Sequence, residues 1–264
     1  MGQTLVIAEK PSVAGDIARA LGGFKKDGDF WVSDAMIVGS AVGHLLEIKA
    51  PEEYDVKRGR WSFANLPVLP PHFDLQPIKK SIKKFEGLEK KIRSRSVTDI
   101  INACDAGREG ELIFRYIIQA TGTKKPIRRL WLQSMTKASI QKAFTALRSD
   151  AEMKPLEAAA RSRSEADWLV GINGTRALTA FNSKDGGFFL TTVGRVQTPT
   201  LAIVVAREEE ITHFKPQNYW EVHATFGAQA GDYDSVWVDA DFKKTKGQSA
   251  ELKPERLWTA AEAQ

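Results

Sequence analysis

The sequence has a single cysteine, Cys104, among its 264 residues. One cysteine excludes an intrachain disulfide and a zinc module built on several cysteines. No apolar run approaches the roughly 20 residues that a helix needs to cross a bilayer. Near the N-terminus, charged residues at Glu9, Lys10 and Asp16 come too early for a signal segment. These absences predict a cytoplasmic protein with no membrane partner, nucleoid-associated if the source is bacterial.

Acidic and basic residues are nearly balanced in number. The sequence has 38 Lys or Arg against 33 Asp or Glu, a formal net charge of +5. Such a charge permits an anionic partner without requiring one. With 42% hydrophobic residues, the chain can form one large domain or two to three small ones. Neither a P-loop nor a G-x-G-x-x-G turn after a strand is present, which argues against ATP and dinucleotide binding.

Apolar strands and amphipathic helices alternate as far as about residue 150. This order predicts an α/β domain in which a parallel sheet carries helices on both faces. One helix, predicted over residues 79–95, has eight Lys or Arg around apolar positions at helical spacing. The other elements are strands at 4–8, 98–103 and 127–132, and helices near 111–120 and at 137–148.

The pattern changes after Pro155. Residues 155–182 have a long helical pattern, residues 183–194 form a loop, and a second helix is predicted from Val196 to Ile211. From Tyr219 the apolar period becomes two, which predicts one strand near 220–226 and another over 236–242. The last dozen residues are polar or alanine-rich, and we expect no closing element from them.

Two strand ends carry the residue types of a metal and phosphate site. Glu9 and Lys10 follow the first strand, and Asp105, Arg108 and Glu109 follow the strand that ends near residue 103. Ligands of parallel sheets bind at the carboxyl ends of strands. Magnesium needs only one or two carboxylates plus phosphate oxygens, so Glu9, Asp105 and Glu109 are candidate ligands.

The glycines of the second turn support the same interpretation. Gly107 and Gly110 let the backbone approach a phosphate, and the helix that follows directs its N-terminal amides there. Lys10 and Arg108 could neutralise the phosphate. The alternative is a solvated loop whose acids cap the next helix. Cys104 is predicted to be a small core residue.

These residues match a known family. The segments Ala8–Ser12 and Asp105–Glu111 resemble the Toprim module shared by topoisomerases and bacterial primases. The segments Ala166–Arg176 and Val193–Leu201 look like signatures of type IA DNA topoisomerases. Val42–Glu47 and Arg129–Trp131 fit the topoisomerase III branch. The resemblance covers residues 4 to about 226, in the family's order.

The resemblance implies a fold and a division of the chain. It implies an α/β fold with a Toprim (Rossmann-like) parallel-sheet domain over residues 1–150. A helical DNA-binding domain would follow over residues 151–215, and an incomplete β-rich arch domain would begin at residues 216–264.

The resemblance also implies a mechanism. In this family a tyrosine attacks one DNA strand and keeps its 5′-phosphate as an ester, the other strand passes through the gap, and the break is resealed without ATP. By matching positions, Glu9 would manage the proton on the leaving 3′-oxygen and Lys10 would contact the scissile phosphate. Asp105 and Glu109, with Glu9, would hold Mg2+, which helps to position the DNA. A helicase partner is a further expectation from the family.

The sequence departs from the family's pattern at two places. The common turn has acid-x-acid-x-Glu, but Gly107 replaces the middle acid, which should weaken metal binding. The family's nucleophile is a tyrosine followed by Pro-Arg-Thr-Asp, and none of the four tyrosines (Tyr54, Tyr116, Tyr219 and Tyr233) has that context. We therefore expect an N-terminal fragment that binds DNA and metal but does not cleave.

The helical region is expected to supply a groove for single-stranded DNA. Arginines would contact phosphates, and Asp167 or Gln197 would contact a base edge or orient an arginine. The candidates are Arg161, Arg163, Asp167, Arg176, Arg195 and Gln197. The alternative for Arg163 is a structural i,i+4 pair with Asp167. Two other functions stay open: a noncatalytic single-stranded nucleic-acid-binding module, and another Toprim enzyme such as a primase or nuclease.

Overall fold

The computed structural model describes residues 2–53, 61–243 and 252–264. The chain forms two compact units, Met1–Pro199 and Thr200–Gln264. The three-part division expected from the sequence stays a prediction, because the compact units do not separate a helical part from the sheet.

The first unit is built on a seven-stranded sheet. Its strand order is β2-β3-β4-β1-β7-β8-β9. The four central strands β4, β1, β7 and β8 are parallel, whereas the outer strands pair antiparallel. The strands are β1 (Gln3–Ala8), β2 (Lys25–Asp27), β3 (Phe30–Val32), β4 (Met36–Ser40), β7 (Val97–Ala103), β8 (Ile127–Arg129) and β9 (Arg148–Ser149); β5 (Leu46–Ile48) and β6 (Leu75–Pro77) pair separately.

Helices cover both faces of this sheet, as the alternating sequence pattern predicted. Successive residues of β1 point to opposite faces, so Leu5 and Ile7 join one apolar cluster while Val6 and Ala8 join the other. The α-helices of the described residues are α1 (Pro11–Leu21), α2 (Ile82–Arg93), α3 (Arg108–Thr121), α4 (Lys137–Thr145), α5 (Asp150–Asn182), α6 (Gln197–Thr212) and α7 (Ala260–Ala263). Helices α2 and α3 supply the first cluster, and α1 and α4 the second.

Several helix boundaries differ from the sequence-based prediction. Helix α3 begins at Arg108, directly after the acidic turn, and ends at Thr121, where Gly122 with a φ of 61° forms a left-handed cap. Helix α5 begins at Asp150 because Ser149 and Glu152 form a capping box, so Pro155 lies inside the helix rather than at its start. Helix α4 was predicted to extend to residue 148, but it ends at Thr145, and Arg148–Ser149 form the short strand β9.

The second unit contains a β-hairpin of β10 (His223–Ala228) and β11 (Gly231–Val236). The prediction of a second strand over 236–242 was wrong, because Gly231, at a φ of 124°, permits a tight turn soon after Ala228. The expectation that the last residues close nothing was also wrong. Trp220 and Leu257 exchange backbone hydrogen bonds of 2.8 and 2.9 Å, and α7 follows.

Within the described ranges, no helix is both long enough and apolar enough to span a membrane. This finding agrees with the absence of a long apolar run in the sequence.

Candidate functional site

Three parallel strands end side by side at one edge of the sheet. Ala8, the last residue of β1, lies opposite Ser40 on one neighbour and Ala103 on the other. The residues that follow these strand ends therefore meet at one place. They include Glu9 after β1 and Asp105 after β7, which were expected from the sequence to lie together.

Lys10 connects the two acids of this edge. Its Nζ lies 2.9 Å from Asp105 Oδ2 and 3.7 Å from Glu9 Oε1. The hydrogen bond and charge of Asp105, and then the charge of Glu9, raise the pKa of Lys10 above its ordinary value. Lys10 therefore stays protonated at neutral pH, as an exposed cation held between two carboxylates.

Glu109 has a partner that was not expected from the sequence. His44 Nε2 is hydrogen-bonded to Glu109 Oε1. The loop that carries His44 has two residues in the left-handed region, Val42 at a φ of 59° and Gly43 at 78°, and the Gly43 amide donates to the Glu9 carbonyl at 3.1 Å. A β-branched residue with positive φ is an outlier that the surrounding structure must hold in place.

The predicted magnesium ligands supply suitable atoms but do not form a cage. Glu9 Oε2 is buried with no hydrogen-bond partner, as a carboxylate oxygen suited to a cation would be. Asp105 and Glu109 are exposed at the same edge, facing Lys10 and His44. Across the described part of the chain, no three His, Cys, Asp or Glu side chains lie close enough to hold a metal ion. The carboxylate oxygens at this edge are of the type that magnesium prefers. Because they are not gathered into one ligand set, the metal assignment stays a prediction.

A buried ion-pair network lies directly beneath the acidic turn. Glu111 is 0% exposed and Arg129 is 1% exposed. Glu111 Oε1 accepts a hydrogen bond of 2.7 Å from Arg115 Nε, while its Oε2 lies 3.3 Å from Arg129 Nε. Asn102 donates to the same Oε2 at 3.0 Å. The buried carboxylate thus has cations or donors on both oxygens, which is what makes its burial tolerable.

Arg129 uses the rest of its guanidinium to hold the backbone of the turn. Its terminal nitrogens donate to the carbonyls of Cys104 at 2.6 Å and Asp105 at 2.7 Å, and also to that of Asn102 at 3.1 Å. Burial lowers the pKa of Arg129, and the charge of Glu111 counteracts this effect. The position of Asp105 therefore depends on a buried arginine, a role that was not predicted. In the sequence, Arg129 stood out only as part of the Arg129–Trp131 segment of the family resemblance.

Two glycines of the turn are not equivalent. A Cβ on Gly110 would overlap the backbone of Asp105, so the helix can approach the turn only with glycine there. A Cβ on Gly107 would meet no atom within 4 Å, and its backbone φ of 178° is extended. The place of the family's missing acid is therefore open to a larger side chain.

Cys104 and Tyr116 are both core residues. Cys104 is a buried free thiol, and burial raises its pKa well above the ordinary value, so it is not a nucleophile. Burial likewise raises the pKa of Tyr116, whose hydroxyl lies 2.9 Å from Ser164 Oγ. The prediction of a core role for Cys104 is confirmed.

The loop after α5 runs back along that helix. The Thr179 hydroxyl accepts from the Thr191 amide and the Thr175 hydroxyl accepts from the Val193 amide, each at 3.0 Å. This pairing brings Arg195 opposite Asp167, with Arg195 Nη1 2.8 Å from Asp167 Oδ1.

Asp167 joins two of the predicted DNA-binding arginines. Its other oxygen lies 3.7 Å from Arg163 Nε, so one carboxylate orients both side chains. The i,i+4 pair that the sequence offered as an alternative for Arg163 is therefore present. Gln197 is exposed next to this cluster in the chain, and Arg108 is exposed at the start of α3.

Arg176 is separate from that exposed cluster. It is 8% exposed, is paired with Glu52, and lies 5.3 Å from the Trp61 ring centroid. A DNA contact would require one of these partners to move. Arg176 therefore contacts Glu52 and Trp61, and its DNA contact stays a prediction.

Two family models match this chain. A Toprim domain matches residues 4–135, and a DNA topoisomerase model matches residues 151–264. DNA topoisomerase 3 of Bacillus thuringiensis (strain Al Hakam) is 42% identical over 258 residues, covering 97% of this chain and 34% of that protein. DNA topoisomerase 3 of Staphylococcus aureus (strain USA300) is 44% identical over 223 residues, covering 84% of this chain and 31% of that protein.

A solved structure has the same fold. Full-length topoisomerase I from Thermotoga maritima, in a monoclinic crystal form, aligns with a TM-score of 0.56 at 22% identity. The alignment covers 94% of this chain and 36% of that one. At this identity the likeness shows the fold alone.

The fold and the acidic strand edge define a Toprim-domain protein. With both family models and the relatives just described, the chain belongs to the type IA DNA topoisomerases and is topoisomerase III-like. It spans about a third of the length of these relatives.

The buried network predicts a large difference between two glutamates of one helix. Glu111→Ala leaves Arg129 buried without its carboxylate partner, whereas Arg115 keeps Asp150 and Glu157, and should lower the free energy of unfolding by about 3–5 kcal/mol. Glu109→Ala, at an exposed position of the same helix, should change it by less than about 0.5 kcal/mol. Urea denaturation of both variants measures the difference. Equal unfolding midpoints would show that the network does not stabilise the fold.

Proposed function

We propose that this chain carries the magnesium and DNA-binding half of a type IA topoisomerase site. The observation that carries the proposal is Lys10, held as a cation between Glu9 and Asp105 at the carboxyl edge of the sheet. A phosphodiester at this edge would meet a fixed positive charge with acids on both sides. In the whole protein, the reaction would be cleavage of one strand, passage of another, and resealing.

Each residue of the edge has a distinct part in this proposal. Lys10 binds the scissile phosphate. Glu9 manages the proton of the leaving 3′-oxygen, a role that suits its poorly solvated carboxylate. Arg108, exposed at the first turn of α3, adds a second positive charge for the phosphate.

The proposed cofactor is Mg2+, held by Asp105 and Glu109 with help from Glu9. When bound, it would offset phosphate charge and help to position the DNA for resealing. In this structure Lys10 contacts Asp105 and His44 contacts Glu109. Metal binding would replace these two contacts with contacts to the cation.

Single-stranded DNA is the proposed substrate of the helical region, taken as residues 151–215 between the 1–150 Toprim domain and the arch that begins at 216. Arg195 and Arg163 would contact phosphates, and Asp167 would orient both. Gln197 would reach a base edge. Arg176 would hold Glu52 and Trp61 in place rather than contact DNA directly.

We further propose that none of the described tyrosines is the nucleophile. Tyr116 is buried and its pKa is raised. Tyr219 lies 4.0 Å, ring centroid to guanidinium carbon, from Arg256, and Tyr233 stacks on Phe226. Tyr54 lies outside the described residues. From family membership we also propose a cytoplasmic location and a helicase partner.

A second candidate is a noncatalytic single-stranded nucleic-acid-binding module. Its support is that Lys10 already neutralises Glu9 and Asp105, while no three-acid metal cluster is assembled within the described ranges. Such a module would bind DNA equally well with and without magnesium.

The DNA groove predicts a specific loss on mutation. Arg195→Ala should weaken binding of a single-stranded oligonucleotide about tenfold, because it removes a phosphate contact that Asp167 orients. Arg128→Ala is the matched control, since Arg128 is a similarly exposed arginine paired with Asp99 at 2.7 Å. Fluorescence anisotropy measures both affinities. Equal affinity for the two variants would remove Arg195 from the groove.

The open space at Gly107 predicts a gain of metal affinity. Gly107→Asp restores the acid at the middle of the turn without a clash, and should tighten Mg2+ binding roughly threefold to tenfold. Gly107→Ala, which adds the same Cβ without the charge, should bind as the wild type does. Isothermal titration calorimetry gives both constants. An Asp variant no tighter than the Ala variant would place magnesium elsewhere.

Supercoiled plasmid tests the proposal about the tyrosines. The chain with Mg2+ should neither relax negatively supercoiled plasmid nor leave a covalent protein–DNA adduct on a denaturing gel, while still binding single strands. An adduct would identify one of the four tyrosines as a nucleophile. Its position could then be read from Tyr→Phe variants.

A further inference from the structure

A cavity opens beside the acidic edge and has no role in the site described above. Its volume is about 410 Å3, and its walls come from the start of α1, the β2–β3 hairpin, the end of β4 and the start of α2. Pockets for small ligands have volumes of this order. The cavity is therefore large enough for about one nucleotide unit.

The charge of this cavity is positive. Three lysines line it, Lys26, Lys80 and Lys84, against one acid, Asp29, among the described lining residues. Asp29 pairs with Lys84 at 3.1 Å, so its charge is already compensated. Lys26 and Lys80 are exposed, and both can turn their ammonium groups to an anion.

Trp31 adds an aromatic wall. It packs on the apolar cluster beneath α1 and also lines the cavity, with Lys26 Nζ 5.7 Å from its ring centroid. Aromatic side chains between lysines are the usual elements of single-strand binding, because every base offers a stacking face. A purely anionic ligand such as phosphate would not need this wall.

Two helix starts reinforce the lysines. Residues at the starts of α1 and α2 line the cavity, and the first turn of each helix contains no acidic residue. The positive ends of both helices therefore add to the field of the ammonium groups.

Residues that line the cavity adjoin residues of the acidic edge, in the sequence and in the sheet. Pro11, which lines it, directly follows Lys10, and Ser40, which also lines it, lies opposite Ala8 in the sheet. A strand whose phosphate lies at Lys10 would reach the cavity with its neighbouring nucleotide.

We propose that this cavity binds one nucleotide of the single-stranded DNA that Lys10 contacts. Lys26 and Lys80 bind its phosphate, and Trp31 contacts its base. This inference rests on the proposed function, because it requires that the acidic edge handles DNA. It adds a binding subsite on the β2–β3 side of the sheet, separate from the groove at Arg195.

The test compares affinities of the full chain for a single-stranded oligonucleotide. The double variant Lys26→Ala/Lys80→Ala should bind about tenfold more weakly. Its slope of log affinity against log salt should become shallower by about 0.7 for each phosphate that the lysines no longer neutralise. Asp29→Asn should tighten binding, because it removes the acid from the cavity. Lys142→Ala, an exposed lysine of α4 outside the cavity, is the control and should match wild type.

The outcomes separate this inference from the proposed function. If the wild-type chain binds no single strand, the proposed function fails. If Arg195→Ala weakens binding but the double variant and Lys142→Ala both match wild type, only the cavity assignment fails. Selective displacement of the oligonucleotide by inorganic phosphate, beyond that by chloride at equal ionic strength, would assign the cavity to free phosphate and overturn the strand assignment.

Discussion

The geometry of the acidic edge depends on one buried carboxylate. Glu111 lies under the turn, and its charge permits Arg129 to be buried inside the sheet. Arg129 in turn donates to the backbone carbonyls that precede and include Asp105. Without the carboxylate, the arginine would be an uncompensated buried charge, which costs several kcal/mol. The exposed acids are thus placed by residues that never reach the surface.

The same arrangement holds the backbone of the edge in place although its side chains are charged and exposed. The turn itself is exposed, but its backbone is fixed from below by Arg129 and by the close approach of α3 at Gly110. The edge keeps Lys10 between two acids, and the cavity beside it adds further positive charge. A backbone held from below keeps the charged side chains of the edge in defined positions, as the proposed phosphate site requires.

Periodicity and strand-end chemistry predicted much of this molecule. The apolar strands, the alternation with helices and the clustering of Glu9 with Asp105 follow from local patterns and the rule for parallel sheets. The boundaries of helices and strands were predicted less well, because a capping box sets the start of α5 at Asp150 and a tight turn sets the start of β11 at Gly231. The partners of Glu109 and Glu111 were not predicted, since His44 and Arg129 lie far away in the sequence.

Local patterns were enough to indicate the family, the α/β class and the charged residues at the strand ends, because motifs and periodicity are local properties of the chain. The tertiary structure set the further partners of several charged residues. It paired Glu109 with His44 and Asp167 with Arg195, and it buried Arg176 beside Glu52 and Trp61. Such pairings depend on strand register and on the return of a loop along a helix, which no local pattern encodes.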